Sequence, residues 1–414
     1  MRKIIFFFVI IAVGFVLQWN GILEFMRMLE KQVVNILDYR SFSSDFKAMG
    51  LFIALSLLLL ILYLPGAETT RENNSSAKQW LSTFLVLIGI SIVLVTFINP
   101  EGRFPWNKRD AYISVAARAI KPGLYRRLTA TSDLILFGSS VSFTIPADQL
   151  KEKWNIDIFN MALNGGAPND FLQMLKFMIE TSPNKQAPLA VTVEILRRDL
   201  GVTSGSLTPL ELVPYMELDQ GGVAVFAAMD DTIKLGPVSD SVFTLLFVDH
   251  ERWQTAVNFS PDGSGNRTSK TISPANYRQS LAKNVGLLDG LLSCKNLNST
   301  GVEYIEKLVA LGREYKFGVV FYTAPINSDF YILENVRPSR YELCRQLLNE
   351  YMQELASQNP NVVFRDLSSY EPISTQGLKT YIDTHHLTEN GSILLLDELH
   401  IDIEYVMQWA VENR

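Results

Sequence analysis

Residues 133–142 read DLILFGSSVS, and this stretch decides the fold. A short apolar run that halts at glycine and serine fits a strand buried on both faces, followed by a turn. The same grammar repeats outward. IDIFN (156–160) leads into the Gly-rich NGGAPND (164–170), and LAVTVEIL (189–196) is a third strand. Between them a helix from about Asp170 to Ile179 carries Phe171, Leu172, Leu175 and Met178 on one face. The pattern returns late in the chain. Val302, Ile305, Val309 and Leu311 suit a helix, and FGVVFYTAP (317–325) is a buried strand. Tyr341 to Leu355 is helical, NVVF (361–364) is a further strand, and a final helix runs from Thr388. Strands alternating with helices predict an α/β fold, its parallel sheet covered on both faces and its ligands at the carboxyl ends of the strands.

Residues 201–298 break that rhythm with GVTSGS and SPDGSGNRTSK (260–270). They read as an insertion over the site edge: a lid, a polymer-binding surface or a partner contact. The α/β domain is thus expected over 131–414 with the insertion at about 201–298, and no internal repeat is visible. Ahead of it, 101–130 reads as a linker and 1–100 as a membrane domain. Three runs free of charged residues, Ile4–Leu23, Ala48–Ala67 and Gln79–Pro100, each reach about the 20 residues that a helix needs to cross ~30 Å of hydrocarbon. Three transmembrane helices are therefore expected. The first, after Arg2 and Lys3, reads as an uncleaved signal anchor. Residues 24–47 are either an amphipathic helix on the membrane surface or a solvated connection. Basic residues lean against an inside N-terminus, while the signal-like first run favours one. With that orientation, everything after Pro100 lies on the far side of the membrane.

The 414 residues are 48% hydrophobic and 19% charged, which disfavours a disordered or a purely cytosolic chain. The net charge of -6 gives no basic footprint for nucleic acid. Cys294 and Cys344 rule out a disulfide-rich scaffold or a cysteine zinc cluster; they are either one bridge in an oxidising compartment or two buried thiols. His250 and His400 stand alone, and there is neither a phosphate loop with lysine nor a dinucleotide fingerprint, so no metal or cofactor is expected.

Three loops at strand ends carry candidate chemistry. Gly138-Ser139-Ser140 follows the first strand and can present a serine hydroxyl at the sheet edge. Asn160 to Gly166 follows the second, and its glycines let backbone N–H groups approach a reacting oxygen. Asp383-Thr384-His385-His386 precedes the last helix; an aspartate three residues before a histidine can hold the imidazole while its other nitrogen takes a proton from serine. Each loop also has an ordinary reading: the first two are common turn compositions, and Thr388 is a helix cap. Cap and chemistry are compatible.

Together the loops resemble the SGNH (GDSL-type) hydrolase superfamily. FGSS corresponds to its first block, the N-x4-G stretch to its second, and DTHHLTENG (383–391) to its D-x-x-H-L block, over about residues 130–200 and 300–410. The resemblance implies a flavodoxin-like three-layer α/β/α domain. It implies Ser140 as nucleophile, His386 as general base, Asp383 as its orienting carboxylate and Gly165 as an oxyanion donor. The third block departs: where the family has an Asn in G-x-N-D, this chain reads Glu194-Ile195-Leu196-Arg197-Arg198-Asp199. Asn164 or Asn169 is left to fill that gap, and Asn169 is also a candidate substrate-binding residue. Arg198 either substitutes, binds an anionic substrate, or is a surface arginine paired with Asp199.

A membrane-anchored domain of this kind resembles the subgroup that includes alginate O-acetyltransferases and the D-alanyl-lipoteichoic acid protein. That implies an acyltransferase or esterase of the cell envelope, acting outside the cytoplasm on a carbohydrate polymer and an acyl donor, with a membrane-bound O-acyltransferase as partner. Two other readings stay open: a catalytically weak module that binds glycan or that partner, and a lipid-directed esterase.

Overall fold

The computed structural model describes residues 88–97, 104, 117–128, 130–195, 200–203, 208–231, 260, 262–265, 273–283, 299–329, 338–382 and 386–414. The chain divides into two units, Met1–Ser114 with Val225–Thr255, and Val115–Ala224 with Ala256–Arg414. The second unit holds the sheet and all the loops singled out above.

Five strands form that sheet: β1 (Leu134–Phe137), β2 (Ile158–Asn160), β3 (Ala190–Glu194), β4 (Gly318–Thr323) and β5 (Val362–Asp366). All pairings are parallel, in the order β2-β1-β3-β4-β5, which is the flavodoxin-like order. β1 to β4 are buried along their whole length, as strands sandwiched between helical layers must be. Among the described residues the α-helices of eight or more residues in this unit are α1 (Ala117–Tyr125), α2 (Ala147–Trp154), α3 (Pro168–Thr181), α4 (Leu218–Asp231, whose last residues belong to the first unit), α5 (Pro274–Lys283), α6 (Ser299–Tyr315), α7 (Pro338–Gln358) and α8 (Glu389–Asn413).

Alternation along β1 sorts the two layers. Leu134 and Leu136 join Val320, Tyr322, Leu395, Leu399 and Val406 in one core, beneath α8. Phe137 points the other way, with its ring 5.6 Å from that of Phe171 on α3. A Cβ on Gly318 would lie 2.3 Å from Val406 Cβ, so α8 sits on β4 at a distance only glycine permits. Fully burying one such Leu, Ile or Phe side chain contributes about 1.5–3 kcal/mol.

The chain runs from β1 outward to β2, then returns through α3 to β3 on the opposite side of β1. The β1–β3 boundary is therefore the switch point, where loops part and leave a crevice. The turn after β1, carrying Ser140, leaves the sheet beside that boundary.

Part of the stretch expected as linker is α1, packed into this unit. Tyr125 stacks edge-on against Phe159 at 5.3 Å, and Lys121 is fully buried. From the insertion, residues 262–265 close over the outer edge of β2: Asn160 N donates to Asp262 O at 2.8 Å. Ser264 Oγ donates to Ile145 O and accepts from Ala147 N, and Asp148 N donates to Asp262 Oδ2.

The expectation of three membrane-spanning helices is corrected. Among the described residues no helix is long and apolar enough to cross a membrane. Of the third apolar run, 79–100, residues 88–97 are described, and they are helical. Hydropathy marks residues that prefer to leave water; it does not fix the length of unbroken helix. The first two runs and residues 24–47 lie outside the described residues.

Candidate active site

The turn after β1 is shaped by one carboxylate. At Gly138 a Cβ would lie 2.6 Å from Ser142 Oγ and 2.7 Å from Glu194 Oε2, so the strand exit requires glycine. Glu194, at the end of β3 and 2% exposed, accepts from Ser139 N (3.0 Å), Ser139 Oγ (2.7 Å) and Ser142 N (3.2 Å), and also from Ser142 Oγ. Ser142 Oγ also lies 2.7 Å from the Tyr322 hydroxyl, whose pKa burial and the nearby Glu194 charge push well above 10. Ser139 and Ser142 are thus tied into the floor of the turn. Ser140, between them, is half-buried and faces the rim.

His386 meets it there. Its Nε2 is 2.8 Å from Ser140 Oγ. The histidine loop is closed at its base by the Tyr381–Leu387 bridge, by Ile382 N donating to His386 O (2.8 Å) and by Thr388 N donating to Thr380 O (2.8 Å). Thr388 then caps α8, its Oγ1 accepting from Gly391 N at 3.1 Å. Asp383 belongs to this loop but lies outside the described residues, as does Arg198.

The loop after β2 lies directly on the serine turn. Met161 N donates to Leu136 O and Leu163 N to Gly138 O, both at 2.8 Å. A Cβ on Gly166 would lie 2.6 Å from Gly138 O. Gly165 has φ +61°, the left-handed region, and the space around its Cα is open. Asn164 and Gly165 are both exposed on the rim. Asn169, by contrast, is fully buried: its amide donates to Thr203 O (3.0 Å) and accepts from Thr203 N (3.0 Å). It fastens the start of the insertion to α3 and turns no atom to the rim.

Three supporting residues escape the motif reading, and a fourth, Asn160, is the first residue of the N-x4-G stretch with no role assigned to it there. Glu194 was visible only as a lone carboxylate in an apolar strand. Asp170 sits at the third position of α3, where a carboxylate bonds the helix start; Ala167 N donates to its Oδ2 at 3.1 Å. Arg118 binds that carboxylate through Nε (3.1 Å) and Nη2 (2.7 Å). Asn160, fully buried, donates to Ser142 O (2.9 Å) and Ile145 O (3.0 Å) and accepts from Lys121 Nζ (3.2 Å). Neither Arg118 nor Lys121 carries any local sequence signal. Among the described residues no group of His, Cys, Asp and Glu could hold a metal ion.

No described protein family and no curated protein matches the sequence. Among solved structures it is similar to one described as "a putative platelet activating factor from Streptococcus pneumonia", with 13% identity and a TM-score of 0.34, over 80% of this chain and 100% of that one. The chemistry of the rim has to be read from its own side chains.

Proposed function

We propose that this protein is a serine-dependent esterase or O-acyltransferase that carries an acyl group on Ser140. The observation that carries the reading is the 2.8 Å contact between Ser140 Oγ and His386 Nε2, reached across 246 residues of chain at the carboxyl edge of the sheet. Nε2 takes the hydroxyl proton as Oγ attacks the acyl carbonyl carbon. The carbonyl oxygen becomes an oxyanion, received by the backbone N–H groups of Ser140 and Gly165. Nε2–H then protonates the leaving oxygen, and acyl-Ser140 remains. An acceptor hydroxyl or water gives its proton to Nε2 as it attacks the ester carbonyl, and Nε2–H returns that proton to Ser140 Oγ as the acyl–serine bond breaks and the serine is freed. Asp383 is proposed to orient His386 through Nδ1.

The substrate class follows the resemblance: an exported carbohydrate polymer, with an acyl donor handed over by a membrane-bound O-acyltransferase. Cys344, fully buried and disulfide-bonded, supports work outside the cytoplasm, because disulfides persist in oxidising compartments.

The test is labelling with a fluorophosphonate. Wild type is expected to label on Ser140, Ser140→Ala not at all, and His386→Ala at least about 10²-fold more slowly. Folded wild type that takes no label leaves the binding-module reading and removes this one. Turnover of p-nitrophenyl acetate with and without an oligosaccharide separates transfer from hydrolysis, since only transfer yields an acetylated sugar.

A further inference from the structure

Resting on the acyl-enzyme reading, we infer that Arg118 is a positioning residue that aims the oxyanion donor of Gly165. Its guanidinium reaches two consecutive carbonyls of the rim loop, Nη1 to Asn164 O at 3.0 Å and Nη2 to Gly165 O at 3.2 Å. None of the described peptide bonds is cis. In a planar trans peptide the C=O and the N–H point in opposite directions. Holding Asn164 O on the inner side therefore turns the Gly165 N–H outward, away from Arg118. The next N–H, that of Gly166, is already spent on Leu163 O at 2.9 Å, so of these two glycines it is Gly165 whose N–H is left to face outward.

The fixture is rigid because Asp170 grips Arg118 from behind, at 3.1 Å on Nε and 2.7 Å on Nη2. Asp170 is itself tied to the start of α3 through Ala167 N, and to the insertion through Thr203 Oγ1 at 3.1 Å. Arg118 is 8% exposed and Asp170 2%, so little water competes for these bonds. Only a planar fork can face a carboxylate on one edge and two carbonyls on the other; a lysine ammonium is a single point. The left-handed Gly165 alone does not fix its peptide planes, since glycine moves freely between conformations. The loop's direction comes from α1, which lies outside all three motif loops.

The experiment compares full-length wild type with Arg118→Lys. Active sites are titrated with the fluorophosphonate, and kcat and KM for p-nitrophenyl acetate are taken per titrated site over a pH series. The expected result is a fall in kcat of about 10²-fold, the scale of a misplaced catalytic group. KM and the midpoint of the pH profile are expected to stay, because the Ser140–His386 pair is untouched. A purely structural arginine predicts otherwise: a lower melting temperature and fewer titrated sites, with wild-type kcat at each, and that result overturns the inference. Should Arg118→Lys fail to fold, Asp170→Asn serves, since it keeps the arginine and loosens its grip. A fall in kcat per site then supports the inference, and an unchanged one overturns it. Wild type that neither titrates nor turns over removes the acyl-enzyme reading and this inference with it. An active wild type beside a fully active Arg118→Lys removes this inference alone.

Discussion

Replacing Glu194 by glutamine tests whether one buried carboxylate holds the serine turn. Its Oε2 takes three donors, Ser139 N, Ser142 N and Ser142 Oγ, and its Oε1 takes Ser139 Oγ. Glutamine fits the same space and keeps one acceptor oxygen. Placed at the Oε2 position, that oxygen still serves three donors, and the Ser139 hydroxyl rotates to accept from the new amide. What is lost is charge assistance, since bonds to a charged group contribute about 1.5–3 kcal/mol and neutral ones about 0.5–1.5. Over three bonds that is about 3 kcal/mol, and cheaper burial of a neutral amide returns a part. A net cost of about 1–2 kcal/mol follows, well inside the total of about 5–15 that a domain has. Alanine is the wrong probe: it strands two buried backbone N–H groups at about 1–3 kcal/mol each and adds a cavity. The assay pairs a urea midpoint with the rate of fluorophosphonate labelling on Ser140. Glu194→Gln is expected to lower both, the labelling rate by about 10-fold or more, because the serine oxygen must keep its place beside His386. A variant with the wild-type midpoint and labelling rate refutes the claim that Glu194 shapes the turn.

Two further outcomes test the buried basic side chains of α1. Burial drives the Lys121 amine well below its ordinary pKa, against an opposing pull from Asp262. The unfolded chain then binds more protons at this site than the folded one, so Lys121 makes stability rise with pH, up to the unfolded lysine value of about 10.4. Lys121→Met should remove that contribution. The wild-type-minus-variant difference in urea midpoint is expected to climb from about pH 7 to about pH 10, and a flat difference contradicts it. A fragment begun at residue 131 loses both Arg118 and Lys121 and leaves Asp170 buried without its cation. Breaking such a pair costs about 3–5 kcal/mol. By circular dichroism that fragment should melt well below one begun at residue 115; equal melting refutes the role assigned to α1.

The strands were legible because each holds a short apolar run, and full burial of β1 to β4 leaves no polar alternation to confuse the pattern there. The observed bounds of β1 to β4, such as Leu134–Phe137 within the expected 133–137, lie inside the expected runs. The histidine loop was legible because two of the four histidines sit together before the last helix, and the serine turn because it directly follows a buried strand. The supports were not. Arg118 meets Asp170 at a separation of 52 residues and Glu194 meets Ser139 at 55, and pairs so distant leave no periodic trace. Asn169 looked available to a substrate on its residue type alone; burial beneath the insertion commits it to Thr203. The apolar run at 79–100 was read as a span from composition, which reports a preference for leaving water; among the described residues no helix is long and apolar enough to cross a membrane.

The tripeptide Asp262-Gly263-Ser264 bears on how this scaffold can be re-engineered. Gly263 lies so close to Asn160 O that a Cβ would fall 2.2 Å from it, and the flanking side chains satisfy the amides of Ala147 and Asp148. The insertion is therefore not a detachable accessory. Shortening or grafting it will succeed only where these three residues are returned to the flank of β2. Without them a naked strand margin is open to pairing between molecules, and self-association becomes the foreseeable failure of a careless deletion.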